Sequence, residues 1–488
     1  MRRTTTMLLT MLLVVSATPL ATAQHAYPDW LESCQLDRVD AETLCGSYTV
    51  WENRAAERGR RITLNVVVVP ASGVERMPDP VFYFAGGPGG AATNAVSTSL
   101  QVLRGVREAR DLVFVDQRGT GQSHPIFCEE PTGEGPLQAF FGEFLEEEYV
   151  RGCLARQDAD VAQYTTPIAM DDIDEVRAAL GYGRINLYGG SYGTRAAQVY
   201  LRRHTAMVRS AVLKGVAPMD MKNPLPFARA LEHAVRAVIE ACAAEAACNE
   251  AYPDVADDWE RSKEYFARGP VNATVEHPQT ERREAVTIHR GVYADGVRHI
   301  LYSMRASRQL PGMIHAAAGG DFDAFAQREL EQAIGFNDRL SGGVFMTVTC
   351  AEDLRFLTEE EITTGTSGTF LGDYRVRRQL AACEIWGWGA GVDESYTEPV
   401  SVETPVLLLS GEYDPATPAD GAEGVTRHLP NGTHIVFPNQ SHGFRNPACE
   451  TRITADFIKA ASAEGLDLAC VAETRRPRFD TSVGRGIP

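Results

Sequence analysis

Short apolar runs recur along the chain at Ile62–Val69, Val81–Phe84, Leu112–Val115, Ile185–Tyr188, Ala211–Leu213, Val406–Leu409 and His434–Phe437. Most are rich in Val, Ile, Leu or aromatic residues and do not alternate strictly with polar ones. That is the pattern of strands covered on both faces. Helical stretches lie between some of them. Asp171–Leu180 sets Ile173, Val176, Ala179 and Leu180 on one stripe, with acidic residues in its first turn, and Thr194–His204 follows a strand and a tight turn. Strand–helix alternation predicts an α/β fold with a mostly parallel sheet and helices on both faces. The alternation breaks after about residue 219. Residues 220–400 are Ala-rich and charged with few strand-like runs, and strands return at Val406. The expected organisation is therefore one α/β domain in two parts, 24–219 and 401–488, interrupted by a mainly helical insertion over 220–400. The stretch after Cys470, with Arg475, Arg476, Pro477 and Arg478 and then Gly484 and Gly486, reads as a loosely ordered tail.

The start of the chain changes the picture of where this domain works. Arg2 and Arg3 precede an apolar run, Met7 to Ala17, and Ala21-Thr22-Ala23 follows. A basic start, a short apolar stretch and an A-x-A ending predict a cleaved signal peptide over 1–23, so the protein is expected to be secreted or periplasmic. The run is shorter than the roughly twenty residues that span a bilayer. No later segment reaches that length, so no membrane anchor is expected. The formal charge is −18, from 47 basic and 65 acidic residues. An acidic chain without a basic cluster in its sequence is a poor partner for nucleic acid, whose phosphates need Lys and Arg in a patch. Ten cysteines, an even number in an exported chain, favour disulfides. Pairing of sequence neighbours closes the shortest loops, although the sequence leaves connectivity open. There is no paired C-x-x-C and no H-E-x-x-H, so neither metal nor other cofactor is expected.

Candidate chemistry concentrates at Ile185-Asn186-Leu187-Tyr188-Gly189-Gly190-Ser191-Tyr192-Gly193-Thr194, a G-x-S-x-G directly after a strand and before a helix. A serine on such a sharp turn is pushed out at the sheet edge, and the glycines leave room for neighbouring backbone. Ser191 is the candidate nucleophile. A serine hydroxyl needs a base, and the base an orienting acid. In this arrangement the order is Ser, then acid, then His. Of the eleven histidines, His428, His434 and His442 follow the returning strands. His434 opens an apolar run, and His428 ends a helical segment. His442 lies in the polar loop Asn439–Phe444 after the last strand, where a base belongs. Asp414 sits in the Pro-bounded turn after Val406–Ser410, with Glu412 as fallback. An oxyanion hole needs N–H donors. Tyr192, which follows the nucleophile, supplies one. Gly87, in Ala85-Gly86-Gly87-Pro88-Gly89-Gly90 after an early strand, is the candidate for the second.

Ala85–Gly90 resembles the H-G-G-P-G-G loop of proline iminopeptidases and secreted tripeptidyl aminopeptidases, with Ala85 in place of the usual His. Asp116-Gln117-Arg118-Gly119-Thr120-Gly121-Gln122-Ser123 resembles their D-Q-R-G-[ST]-G-x-S segment. Ser191, Asp414 and His442 fall where that family has its triad. The resemblance implies an α/β-hydrolase fold with a helical cap between late strands. It also implies hydrolysis near the free N-terminus of peptide substrates. Thr349-Cys350-Ala351-Glu352-Asp353 and Cys383-Glu384-Ile385-Trp386 are similar to a disulfide-pinned, acid-bearing segment of the secreted branch. An aminopeptidase must read a charged amine, and a shielded carboxylate does so. Glu352, with Asp353, is the candidate amine site, the alternative being a solvated acidic pair. Trp386 and Trp388 are candidates for the pocket wall, the alternative being buried packing. The expected function is thus an exported serine hydrolase of the aminopeptidase type. A carboxylesterase on small neutral esters is the alternative, and oligomeric state is open.

Overall fold

The computed structural model describes residues 27–129, 135–337, 340–444 and 446–483, and the expected signal peptide lies outside them. The apolar runs form the middle of a nine-stranded sheet of order β1-β2-β3-β5-β4-β6-β7-β10-β11. β4 (Val81–Phe84), β5 (Leu112–Val115), β6 (Ile185–Gly190), β7 (Val208–Lys214), β10 (Val406–Gly411) and β11 (Gly432–Phe437) run parallel. β1 (Leu31–Cys34), β2 (Thr43–Trp51) and β3 (Arg61–Val69) complete it antiparallel. Successive residues of the central strands feed opposite cores. Phe82, Val113, Leu187, Leu213 and Leu408 face one layer. Val81, Leu112, Phe114, Val212 and Leu407 face the other. Burial on both sides explains why these strands lack alternation.

The sequence pattern did not mark β1 and β2. β2 is largely half-exposed and reads Thr-Leu-Cys-Gly-Ser-Tyr-Thr-Val-Trp, too polar to stand out. The helix expected from Asp171 begins at Thr166, with Pro167 in its first turn, so the acidic residues lie inside it.

Between β7 and β10 the chain divides its packing. The helices Phe227–Ala244, Arg290–Ile300, Leu310–Ala318 and Asp323–Asn337 share a separate core with a hairpin of β8 (Val271–Glu276) and β9 (Arg283–Ile288). Trp259, Tyr293, Phe322 and Phe325 lie at its centre. The hairpin strand Val-Asn-Ala-Thr-Val-Glu does alternate, buried against exposed, a period-two signal inside an otherwise helical region. The helices Gly342–Glu352 and Tyr374–Trp386 instead add Val344, Met346, Val348, Ala351 and Trp386 to the main core.

The tail is a correction. Residues 474–483 are ordered against the insertion. Phe479 is buried in the insertion's own core. Its N–H donates to Glu245 Oε1 (3.2 Å), and the Asp480 N–H donates to the Arg308 carbonyl (3.1 Å). A run of arginines suggested solvation, whereas one aromatic ring after it supplies the anchor.

All ten cysteines are bonded, as Cys34–Cys45, Cys128–Cys153, Cys242–Cys248, Cys350–Cys383 and Cys449–Cys470, with Cα separations of 5.0 to 5.7 Å. Among the described residues, no helix is long and apolar enough to cross a membrane.

Candidate active site

Ser191 stands between β6 and the helix Tyr192–Arg203 with φ 55° and ψ −127°. A non-glycine residue held there costs about 1–3 kcal/mol and needs surrounding structure to hold it. That structure is visible. The Ser191 N–H donates to the Lys214 carbonyl at the end of β7 (2.8 Å), and the Thr194 N–H and Oγ1 both donate to the Ser191 carbonyl. The flanking glycines are a steric requirement. A Cβ on Gly193 would lie 2.2 Å from the Phe84 carbonyl oxygen, and one on Gly189 would lie 2.3 Å from the Gly193 oxygen.

The candidate acid and base meet at neighbouring strand ends. His442 Nδ1 lies 2.7 Å from Asp414 Oδ2. Asp414 is buried, and its Oδ1 accepts the N–H groups of Ala416 (2.8 Å) and Thr417 (2.9 Å). Thr417 Oγ1 donates to Asp414 Oδ2 (2.8 Å) and lies 3.2 Å from His442 Nδ1. The imidazole packs over Gly215, where a Cβ would stand 3.1 Å from His442 Cε1. Gly215 follows the residue whose carbonyl holds Ser191, so the ring and the serine occupy adjacent strand ends. Glu412, the fallback acid, accepts the Asn439 N–H (2.8 Å) and shapes the loop instead. His434 bonds Ser410 Oγ (2.9 Å) within the sheet.

The Gly-rich loop lies against Ser191. A Cβ on Gly86 would be 3.1 Å from Ser191 Cβ, and Gly87 comes next. Ser341 clasps this loop, its N–H donating to the Gly89 carbonyl (2.9 Å). Tyr192 is the first residue of its helix, where backbone N–H groups have no intrahelical acceptor. The Asp116–Ser123 segment braces the surroundings. Asp116 accepts from Thr93, Asn65 and Gln122, and the fully buried Arg118 makes a two-pronged pair with Asp172 (2.6 and 2.9 Å).

Residues 79–444 match the model of the alpha/beta hydrolase fold family. The chain belongs to the α/β-hydrolase family. It is 24% identical to a tripeptidyl aminopeptidase of Streptomyces coelicolor over 95% of this chain and 89% of that one. It is 23% identical to the serine protease Hip1 of Mycobacterium tuberculosis over 86% of each. A proline iminopeptidase of Neisseria gonorrhoeae is 28% identical over 28% of this chain and 32% of its own. Among solved structures, a proline iminopeptidase of Mycobacterium smegmatis aligns with 85% of this chain and 98% of its own at 17% identity and a TM-score of 0.40.

Within this hydrolase, Glu352 and Asp353 are enclosed rather than exposed. Both are buried at the end of the helix Gly342–Glu352, and both have internal partners. Glu352 Oε1 accepts the Thr166 N–H (2.6 Å), and its Oε2 accepts from the Tyr396 hydroxyl. Thr166 Oγ1 in turn lies 2.6 Å from the Tyr192 hydroxyl. Asp353 pairs with Arg195 on the helix that Ser191 opens. This burial removes the solvated alternative, and an amine would have to compete with these internal partners. The two carboxylates tie the disulfide-pinned segment to the elbow. Trp386 is likewise buried in the main core, its Nε1 donating to Thr347 Oγ1 (2.8 Å), so it packs rather than lines a pocket.

Burial pushes the Glu352 carboxyl from 4.5 up to about 7, against hydrogen bonds from Tyr396 and Thr166 that favour its ionised form. Between those values the unfolded chain is ionised while the folded one still holds the proton. Stability from this group therefore falls as pH rises through that window. In denaturant titrations, Glu352→Gln is expected to gain on the wild type by about 3 kcal/mol between pH 4.5 and pH 8. A difference between the two proteins that does not change with pH would contradict this.

Two neighbours of the site, and a buried carboxylate behind one of them, carry too little local signal to stand out in the sequence. Thr417 carries the most, since Asp followed by a hydroxyl residue three positions on is a turn signature. Tyr302, whose ring lies 5.1 Å from that of His442, comes from the insertion and carries no local signal. Glu329 has the only buried carboxylate oxygen without a hydrogen-bond partner among the described residues, Oε2. Its Oε1 is 3.5 Å from His299 Nδ1.

Proposed function

We propose that this protein is an exported serine aminopeptidase that releases N-terminal residues or short peptides through an acyl-enzyme. The observation that carries the chemistry is the 2.7 Å contact of His442 Nδ1 with buried Asp414, at the strand end beside a strained Ser191. His442 takes the Ser191 proton through Nε2 as Oγ attacks the carbonyl carbon. The Gly87 and Tyr192 N–H groups receive the developing oxyanion. His442 then returns the proton to the leaving nitrogen. Water, activated in the same way, releases the acyl group and restores the serine.

The preference for amines rests on two supports. The relatives that match most of the chain carry peptidase names. In addition, Glu329, with its partnerless oxygen, contacts His299, whose ring meets that of Tyr302, so it stands two rings behind His442. A buried carboxylate short of a donor is a receptor for a charged amine. The five disulfides suit an oxidising compartment outside the cytosol. A panel of aminoacyl and tripeptidyl arylamides, their N-acetylated counterparts, and acetyl and butyryl esters tests the reading. Turnover is expected on free-amine arylamides and to drop at least tenfold on N-acetylation. Faster turnover of the neutral esters would make the protein a carboxylesterase.

A further inference from the structure

Beside the His442 loop lies a cavity of about 350 Å³ lined by Ser303, Arg305, Ala306, Arg308, Gln309, Arg328 and Asp480. In a chain of net charge −18, it gathers three guanidinium groups against one carboxylate. Their existing partners leave donors to spare. Arg305 has no side-chain hydrogen bond or ion pair among the described residues. Arg308 gives Nε to the Arg478 carbonyl. Arg328 pairs with Glu331 on the surface (3.1 Å), while its Nε is buried without an acceptor. Asp480 Oδ1 accepts the N–H and hydroxyl of Ser482 (3.1 and 2.6 Å), and its carboxylate also faces Gln309 and Arg308, so it offsets one of the three charges. Behind the wall, Arg476 reaches Ser307 Oγ (3.2 Å) and keeps its own Nε without an acceptor, and burial draws its guanidinium down to about 10. Such a site is short of anions, and guanidinium forks match carboxylates.

Its place relative to the chemistry is set by the backbone. The Gly443 N–H donates to the Tyr302 carbonyl (3.0 Å), and Ser303 forms a bridge with Gly443. The cavity wall thus starts beside the residue after His442. Two residues further along, Arg305 is at most about 7 Å away along the chain. His442 hands its proton to the leaving nitrogen, so the leaving chain begins at this imidazole. An extended peptide advances roughly 3.3 Å per residue, which brings a group two to four residues past the cut into range.

We propose that the arginine-lined cavity is a carboxylate subsite for the leaving segment, taking the free C-terminal carboxylate of a short peptide. The inference rests on the aminopeptidase reading and narrows it to oligopeptides. The test compares hexa-alanine with its C-terminal amide, with an amide carrying Asp in place of the last alanine, and with a tripeptidyl arylamide that has no carboxylate. For the wild type, kcat/KM on the free acid is expected to exceed that on the amide roughly tenfold. In Arg305→Gln and Arg328→Gln the ratio of acid to amide should collapse toward one, a quantity that a mere loss of folded protein leaves unchanged. Recovery by the Asp-bearing amide would show that a side-chain carboxylate serves as well, which supports the subsite and widens its ligand. A wild type that cleaves the arylamide and both hexa-alanines with equal efficiency would overturn the subsite alone. A wild type that cleaves no peptide and no arylamide would remove the aminopeptidase reading and the subsite with it.

Discussion

Alanine at position 191 is expected to lower kcat on every substrate by on the order of 10⁵-fold or more and to abolish labelling by a fluorophosphonate. The expectation is large because the proposed mechanism acylates Ser191 Oγ. Thr194 already spends its hydroxyl on the Ser191 carbonyl and on the Ala217 N–H (2.8 Å). The oxyanion donors are backbone groups and survive the change, so a small residual rate over water should persist. Stability should change little, since alanine keeps the Cβ and with it the same backbone cost at a positive φ. Labelling that survives in Ser191→Ala would place the nucleophile elsewhere and end the proposed mechanism.

Asp414→Asn is expected to cost about 10⁴-fold in kcat while the fold stays intact. An amide can keep its oxygen toward the N–H groups of Ala416 and Thr417, which is how Asp414 Oδ1 is held. Its NH2 then faces His442 Nδ1 in place of Oδ2. The ring must answer by accepting at Nδ1 and carrying its proton on Nε2, the nitrogen that should receive the serine proton. The imidazole remains in place with the wrong tautomer. A loss below tenfold would mean that another group orients His442. Glu412 is poorly suited to that task because its carboxylate holds the Asn439 N–H.

The central strands were legible because both faces are buried, so their residues had to be apolar without interruption. The elbow was legible because a strand, a G-x-S-x-G and a helix stand in direct succession. Chain order and loop polarity then point to Asp414 and His442 among many carboxylates and eleven histidines, and the structure brings these two side chains to 2.7 Å. What stayed hidden depends on contacts between distant segments. Glu352 and Asp353 look like a surface pair until Thr166, Tyr396 and Arg195 are seen around them. Tyr302 reaches His442 from a different part of the chain. The chain has no basic cluster in sequence, yet Arg305, Arg308 and Arg328 surround one cavity, because helix packing and the returning tail bring them together.

That returning tail also bears on how the insertion can move. A roof joined to its base by two passages of backbone can swing on them. Here the residues after Cys470 make a third passage and plug the Phe479 ring into the roof's interior. Lifting the roof would first extract that ring into water, at about 1.5–3 kcal/mol before any other contact is broken. The tail is thus a tether: it staples the far end of the chain to the insertion and holds the two layers in one arrangement.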